Sequence, residues 1–116
     1  MQLIEYANGT TAQVINVTGG MREGRETLCL IFPETESLDA LRGIYTDREY
    51  TQTIAIHSTA PDEHGEEQPV VNIQSGFIVP VELAHGCGAV RMTLGRLTAL
   101  EIEIEELKAE LEQFRR

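Results

Sequence analysis

His57, His64, His85 and Cys87 are the residue types that ligate zinc or pair a nucleophile with a base. No two of them show the Cys-x-x-Cys or His-x-x-x-His spacing that nucleates a zinc site, and His85-Gly86-Cys87-Gly88 reads as a turn. Packing and turn roles are therefore expected for all four. Asp62, Glu63, Glu66 and Glu67 offer oxygen ligands to a divalent cation. Their stretch lacks the alternating ligand positions of an EF-hand and lies between Pro61 and Pro69, which predicts a solvated loop. Gly19, Gly20 and Gly24 with Arg22 and Arg25 could cradle an anion, but the P-loop spacing is missing and no helix clearly follows. A flexible hairpin loop over 18–26 is the expectation. No catalytic residue, metal ligand or cofactor is assigned, and the chain reads as a non-enzyme.

Bulk properties narrow the partners. The chain of 116 residues carries 19 acidic and 9 basic residues, a net charge of -10. That balance disfavours direct binding to nucleic acid or anionic lipid, which requires Lys and Arg, and permits a basic protein partner. Hydrophobic residues make up 41%, ordinary for one globular core. No apolar run reaches the roughly 18 residues of a membrane-spanning helix. Met1-Gln2-Leu3-Ile4-Glu5-Tyr6 has neither a basic segment nor a long apolar one, so a cytoplasmic location is expected. In that compartment the sequons at Asn8 and Asn16 are turn and strand residues, and Cys29 and Cys87 stay unpaired, Cys29 as a small buried thiol.

These residues must be positioned by a mainly antiparallel β-sheet body. Gln2–Tyr6 and Ala12–Val17 predict a hairpin around Asn8-Gly9 in a type I′ turn. Thr27–Phe32 predicts a central strand buried on both faces, ended by Pro33. Ser37 caps a short helix that stops at Gly43. Further strands are expected at Tyr50–His57, Val70–Gln74, Gly76–Leu83 and Ala89–Leu94. Between them lie an exposed loop at Ala60–Pro69 and Pro80 at an edge, bulge or strand end.

The stretch Leu100-Glu101-Ile102-Glu103-Ile104-Glu105-Glu106-Leu107 alternates like a strand at first, then loses period two and continues in helix formers. Thr98-Ala99-Leu100-Glu101 fits a capping box, with Leu97 and Ile102 at the positions of a hydrophobic staple. Leu100, Ile104, Leu107, Leu111 and Phe114 are spaced 4, 3, 4 and 3 apart, which is a heptad seam. With Ile104 and Leu111 at a, Glu103 and Glu110 take g positions while Lys108 and Arg115 take e positions. A parallel pair of such helices would face Glu103 with Lys108 and Glu110 with Arg115, both attractive. Arg115 and Arg116 complement the helix dipole. The seam can face either the chain's own sheet or another copy.

The fold expectation is thus α+β: a β-rich body over 1–94, one short internal helix, and an amphipathic C-terminal helix over 95–116 with coiled-coil character. With its Tyr6-Ala7-Asn8-Gly9-Thr10-Thr11 hairpin, its Ser37-Leu38-Asp39-Ala40-Leu41 helix after an apolar strand, and the ending Val90-Arg91-Met92-Thr93-Leu94-Gly95-Arg96-Leu97-Thr98-Ala99-Leu100-Glu101, the chain resembles small tail-module proteins of phages and prophages of Gram-positive bacteria. The resemblance implies a virion- or assembly-associated protein and transfers no catalytic residue. Three functions follow as expectations. The first is a noncatalytic structural or assembly adaptor that self-associates or docks through its terminal helix. The others are an acidic phage-encoded inhibitor of a basic nucleic-acid-binding host protein, and a small ligand-binding domain or enzyme.

Overall fold

The structure, a computed structural model, describes residues 2–115. Eight strands and three helices follow in the order β1 (Gln2–Tyr6), β2 (Thr11–Val14), β3 (Asn16–Arg22), β4 (Arg25–Pro33), α1 (Leu38–Tyr45), α2 (Arg48–Thr51), β5 (Thr53–Pro61), β6 (Glu67–Ser75), β7 (Val79–Gly86), β8 (Ala89–Gly95) and α3 (Ala99–Phe114). The strands form two antiparallel four-stranded sheets, β2-β1-β5-β6 and β3-β4-β8-β7, rather than one.

The chain changes sheet at Ile15, so the strand expected over Ala12–Val17 is two strands. The Ile15 N–H has left the first sheet and donates to the Ile31 carbonyl at 2.6 Å. Alternation then builds a common core between the sheets. Leu28, Leu30 and Phe32 of β4 lie directly beside Leu94, Met92 and Val90 of β8, and all six are buried. Ile4 and Tyr6 of β1 sit beside Ile56 and Ile54 of β5 in the other sheet, and Leu41 of α1 and Phe77 join the same cluster. Burying each large apolar side chain contributes about 1.5–3 kcal/mol, which is what draws the two inner faces together.

Several local expectations are corrected. β4 is central but not buried on both faces: Cys29 and Ile31 are half-exposed on its outer side, and the Cys29 thiol is not enclosed. The segment 18–26 is mostly strand, because β3 can pair along its length with β4 and only Glu23 and Gly24 turn. Both have positive φ, 54° and 76°, and Arg22 pairs with Arg25, so this two-residue connection is the type I′ turn. Cys87 and Gly88 repeat it between β7 and β8, at φ 54° and 74°.

Asn8-Gly9 is not a type I′ turn, since only Gly9 has positive φ. The Tyr6 N–H donates to the Thr10 carbonyl (2.8 Å) and the Gly9 N–H to the Tyr6 carbonyl (3.0 Å), which is a three-residue loop closed by a left-handed glycine. Asp62–Glu66 repeats this bonding pattern, with the Asp62 N–H on the Glu66 carbonyl, the Gly65 N–H on the Asp62 carbonyl, and Gly65 at φ 78°. The expected loop at Ala60–Pro69 is therefore a hairpin with Pro61 and Pro69 inside strands. Pro69 is tolerated because β6 is an edge.

Ser37 caps α1 through the Ala40 N–H at 3.3 Å. The helix nevertheless runs past the expected stop at Gly43. A mid-helix glycine costs only about 1 kcal/mol, and Ile44 and Tyr45 beyond it pack on the core. A second short helix, α2, was not expected; Asp47 caps it, and β5 consequently begins at Thr53 rather than Tyr50. Pro80 marks a register shift in β7, as expected of a residue without an amide donor.

Candidate functional site

α3 begins where β8 ends and stands against the body only over its first turns. Thr98 is its N-cap: its side chain accepts from the Glu101 N–H, while the Glu101 carboxylate accepts from the Thr98 N–H at 2.9 Å, a complete capping box. The same carboxylate meets Arg25 of β4 through two hydrogen bonds, 2.7 and 2.9 Å, and Arg25 also donates to the Arg96 carbonyl at 2.7 Å. Paired, planar contacts of this kind fix orientation as well as distance. The Arg25 guanidinium and the Thr98 amide together hold the Glu101 carboxyl at about 2, well below the usual carboxylate range.

Room for Arg25 comes from Gly95. A Cβ at that position would collide with Arg25 Cδ and press on Val81. One turn further along the helix, Arg48 of α2 reaches Glu105 at 3.2 Å. Between these two ion pairs lies an open groove of about 470 Å³ with Ile78, Pro80, Leu97 and Ile104 on its walls and Lys108 at its rim.

None of the α3 residues is buried. Of the seam, Ile104 is 42% exposed, Leu111 56%, Leu107 59%, Leu100 66% and Phe114 89%. At 100° per residue, this seam is centred roughly a quarter turn from the face carrying Glu101, Glu105 and Lys108 that meets the body. Ile104 alone is shared between the two faces. Glu103 and Glu110 are exposed, and Arg115 is the C-cap; Arg116 lies outside the described residues. Leu97 is half-buried in the groove, whereas Ile102 is 45% exposed.

No family model, curated protein or solved structure matches this chain.

The other chemically suggestive residues are dispersed or already engaged. His57 is on β5 in one sheet, 3.9 Å from Glu5, while His85 is on β7 in the other, 3.6 Å from Glu34. Cys87 is exposed in the β7–β8 turn and Cys29 is mid-strand, both as free thiols. Asp62 spends its carboxylate on its own turn, accepting from the His64 N–H (2.8 Å), the Glu66 N–H (2.9 Å) and the Gln68 side chain (3.3 Å). Those backbone donors lower its pKa. Among the described residues, no three His, Cys, Asp or Glu side chains gather as a metal set. The two arginines weighed as an anion cradle each hold a carboxylate: Arg22 takes Glu82 at 3.2 Å and Arg25 takes Glu101.

Sequence reasoning missed Arg25, Arg48 and Gly95. The first two are 76 and 57 residues from their partners, beyond any periodicity. Gly95 carried a usable signal, because it follows Met92-Thr93-Leu94 as an abrupt loss of side chain where a strand is ending.

Proposed function

We propose that the chain is a noncatalytic structural or assembly adaptor of a phage or prophage tail module, and that α3 joins it to a second copy. The observation carrying this reading is a helix fixed at its first turns by Arg25 and Arg48 while its heptad seam, apart from the shared Ile104, stays in solvent. A surface helix normally turns its apolar stripe to its own core. Here ion pairs hold the acidic face to the body, so the stripe is left for another molecule. An isolated helix of this length is marginal in water, and burial in a partner supplies the missing stabilisation. The second copy is favoured by charge: in a parallel pair Glu103 meets Lys108 and Glu110 meets Arg115, without like charges at these positions.

Mixing charge-reversed full-length chains tests this occupant and its orientation. Glu103→Lys with Glu110→Lys places like charges across the seam, as does Lys108→Glu with Arg115→Glu. Each variant alone loses the association made through α3, and an equimolar mixture regains it as a mixed assembly. Two variants that associate as well as the unaltered chain would overturn the parallel pairing.

A further inference from the structure

The strand β6 is a second unpartnered element, and its backbone chemistry is unusually specific. It has nine residues at the edge of its sheet, and every one except Gln74 is exposed. The other edges are blunted: β2 has four residues, β7 is interrupted at Pro80, and β3 contains Gly19 and Gly20 and ends at Arg22. β6 instead carries Val70-Val71-Asn72-Ile73-Gln74, uncharged and rich in strand formers, with Val71 51% and Ile73 62% exposed. Such an edge is a template for another strand.

Which backbone groups are free follows from the turn at its start. The Asp62 N–H donates to the Glu66 carbonyl, and at the far end the Gly76 N–H donates to the Gln52 carbonyl. Hydrogen-bonded and non-bonded pairs alternate between antiparallel strands. Even-numbered residues of β6 therefore bond to β5, and odd-numbered ones point their N–H and C=O groups outward. This accounts for Pro69, whose missing N–H would have faced away from β5. Two outward positions are special: Pro69 has no donor, and the Ser75 carbonyl already accepts from Arg96 Nε at 3.1 Å.

We infer that β6 pairs with β6 of a second copy, antiparallel and with Asn72 on the two-fold axis. In this register Val71 exchanges both backbone bonds with Ile73 of the other copy, and Ile73 with its Val71, giving four bonds and two apolar side-chain pairs. Pro69 then falls opposite Ser75. The donor that proline lacks is the one that Ser75 does not need, because Arg96 satisfies its carbonyl. Shifting the axis to Val71 places Pro69 opposite Ile73 and strands the Ile73 carbonyl. Shifting it to Ile73 sets the Val71 N–H against Arg96 for the Ser75 carbonyl. Only the Asn72-centred register matches both irregularities. Glu67, the single charge on β6, falls outside the paired span. The surface is separate from the α3 seam, so each can fail alone.

Cysteine cross-linking of the full-length chain reads the register directly. In a Cys29→Ser, Cys87→Ser background, which removes both native free thiols, Asn72→Cys places two thiols across a non-hydrogen-bonded pair, where Cα atoms are about 4.5 Å apart and within disulfide reach. Gln74→Cys, two residues off the axis, separates its thiols by about 13 Å along the strands. Mild oxidation should give covalent dimer from Asn72→Cys and not from Gln74→Cys. Adding Ile73→Lys, exposed in the monomer, should cut the yield roughly tenfold by removing both apolar pairs. Running the series also with Leu107→Glu and Leu111→Glu separates it from association through α3, and the yield should persist there. Unchanged thermal melting confirms that each variant is folded. Equal yields at the two positions, or no dimer from folded Asn72→Cys protein, would overturn the proposal.

Discussion

Arg25 and Glu101 lie 76 residues apart and meet through two hydrogen bonds of 2.7 and 2.9 Å, so one carboxylate both caps α3 and ties it to β4. These two duties can be separated. Glu101→Gln can still cap, because glutamine serves in a capping box, but it cannot form the ion pair. Arg25→Ala and Glu101→Gln should loosen the first turn of α3 from β4, with its helicity retained and Arg48–Glu105 as the remaining tie. Glu101→Ala should in addition remove the acceptor of the Thr98 N–H and fray the first turn, seen as faster hydrogen exchange at the Thr98 amide.

Acid should have the same effect as Arg25→Ala. The Glu101 carboxyl titrates at about 2 in the folded protein, against 4.5 for an ordinary glutamate. A lowered folded-state value means that its stabilisation is complete above about pH 4.5 and is lost as the pH falls towards 2. Asp62, lowered by its turn amides, acts in the same sense at the β5–β6 tip. NMR shifts of Arg25 and of the first turn of α3, followed from pH 7 to pH 2, should move together in that window.

Gly95 should resist even one methyl group. Gly95→Ala forces Arg25 and Val81 aside, an overpacking cost of about 1–3 kcal/mol. At Gly20 an added Cβ meets only Thr27 Oγ1 at 3.5 Å, an ordinary contact. Urea denaturation should therefore show a clear loss for Gly95→Ala and a smaller change for Gly20→Ala.

The β7–β8 turn offers a stabilising change. Cys87 holds φ 54° without being glycine, a conformation costing about 1 kcal/mol for an ordinary side chain. Cys87→Gly should raise the melting temperature, and Gly88→Ala, at φ 74°, should lower it.

What the sequence disclosed was local. Ser37 and Thr98 announce their helices because capping needs only the next three residues, and Leu28, Leu30 and Phe32 announce a strand by apolar content. The division into two sheets was hidden, since Ile15 looks like any strand residue and only its bond to Ile31 reveals the crossing. Gly19 and Gly20 resembled a loop because propensity says nothing about the β4 partner that holds them extended. The seam was legible as a pattern; its place in solvent was not, because that depends on Arg25 and Arg48 meeting Glu101 and Glu105.

Light-scattering mass of the full-length chain, with and without Leu107→Glu and Leu111→Glu, tests self-association through α3 most directly. Both positions are exposed in the single chain, so the substitutions should leave the β-sheet body folded, read from its strand circular dichroism. The unaltered protein should exceed the 12.9 kDa of one chain, and the double variant should give a smaller mass at equal concentration. The same mass for both proteins would contradict the role assigned to α3.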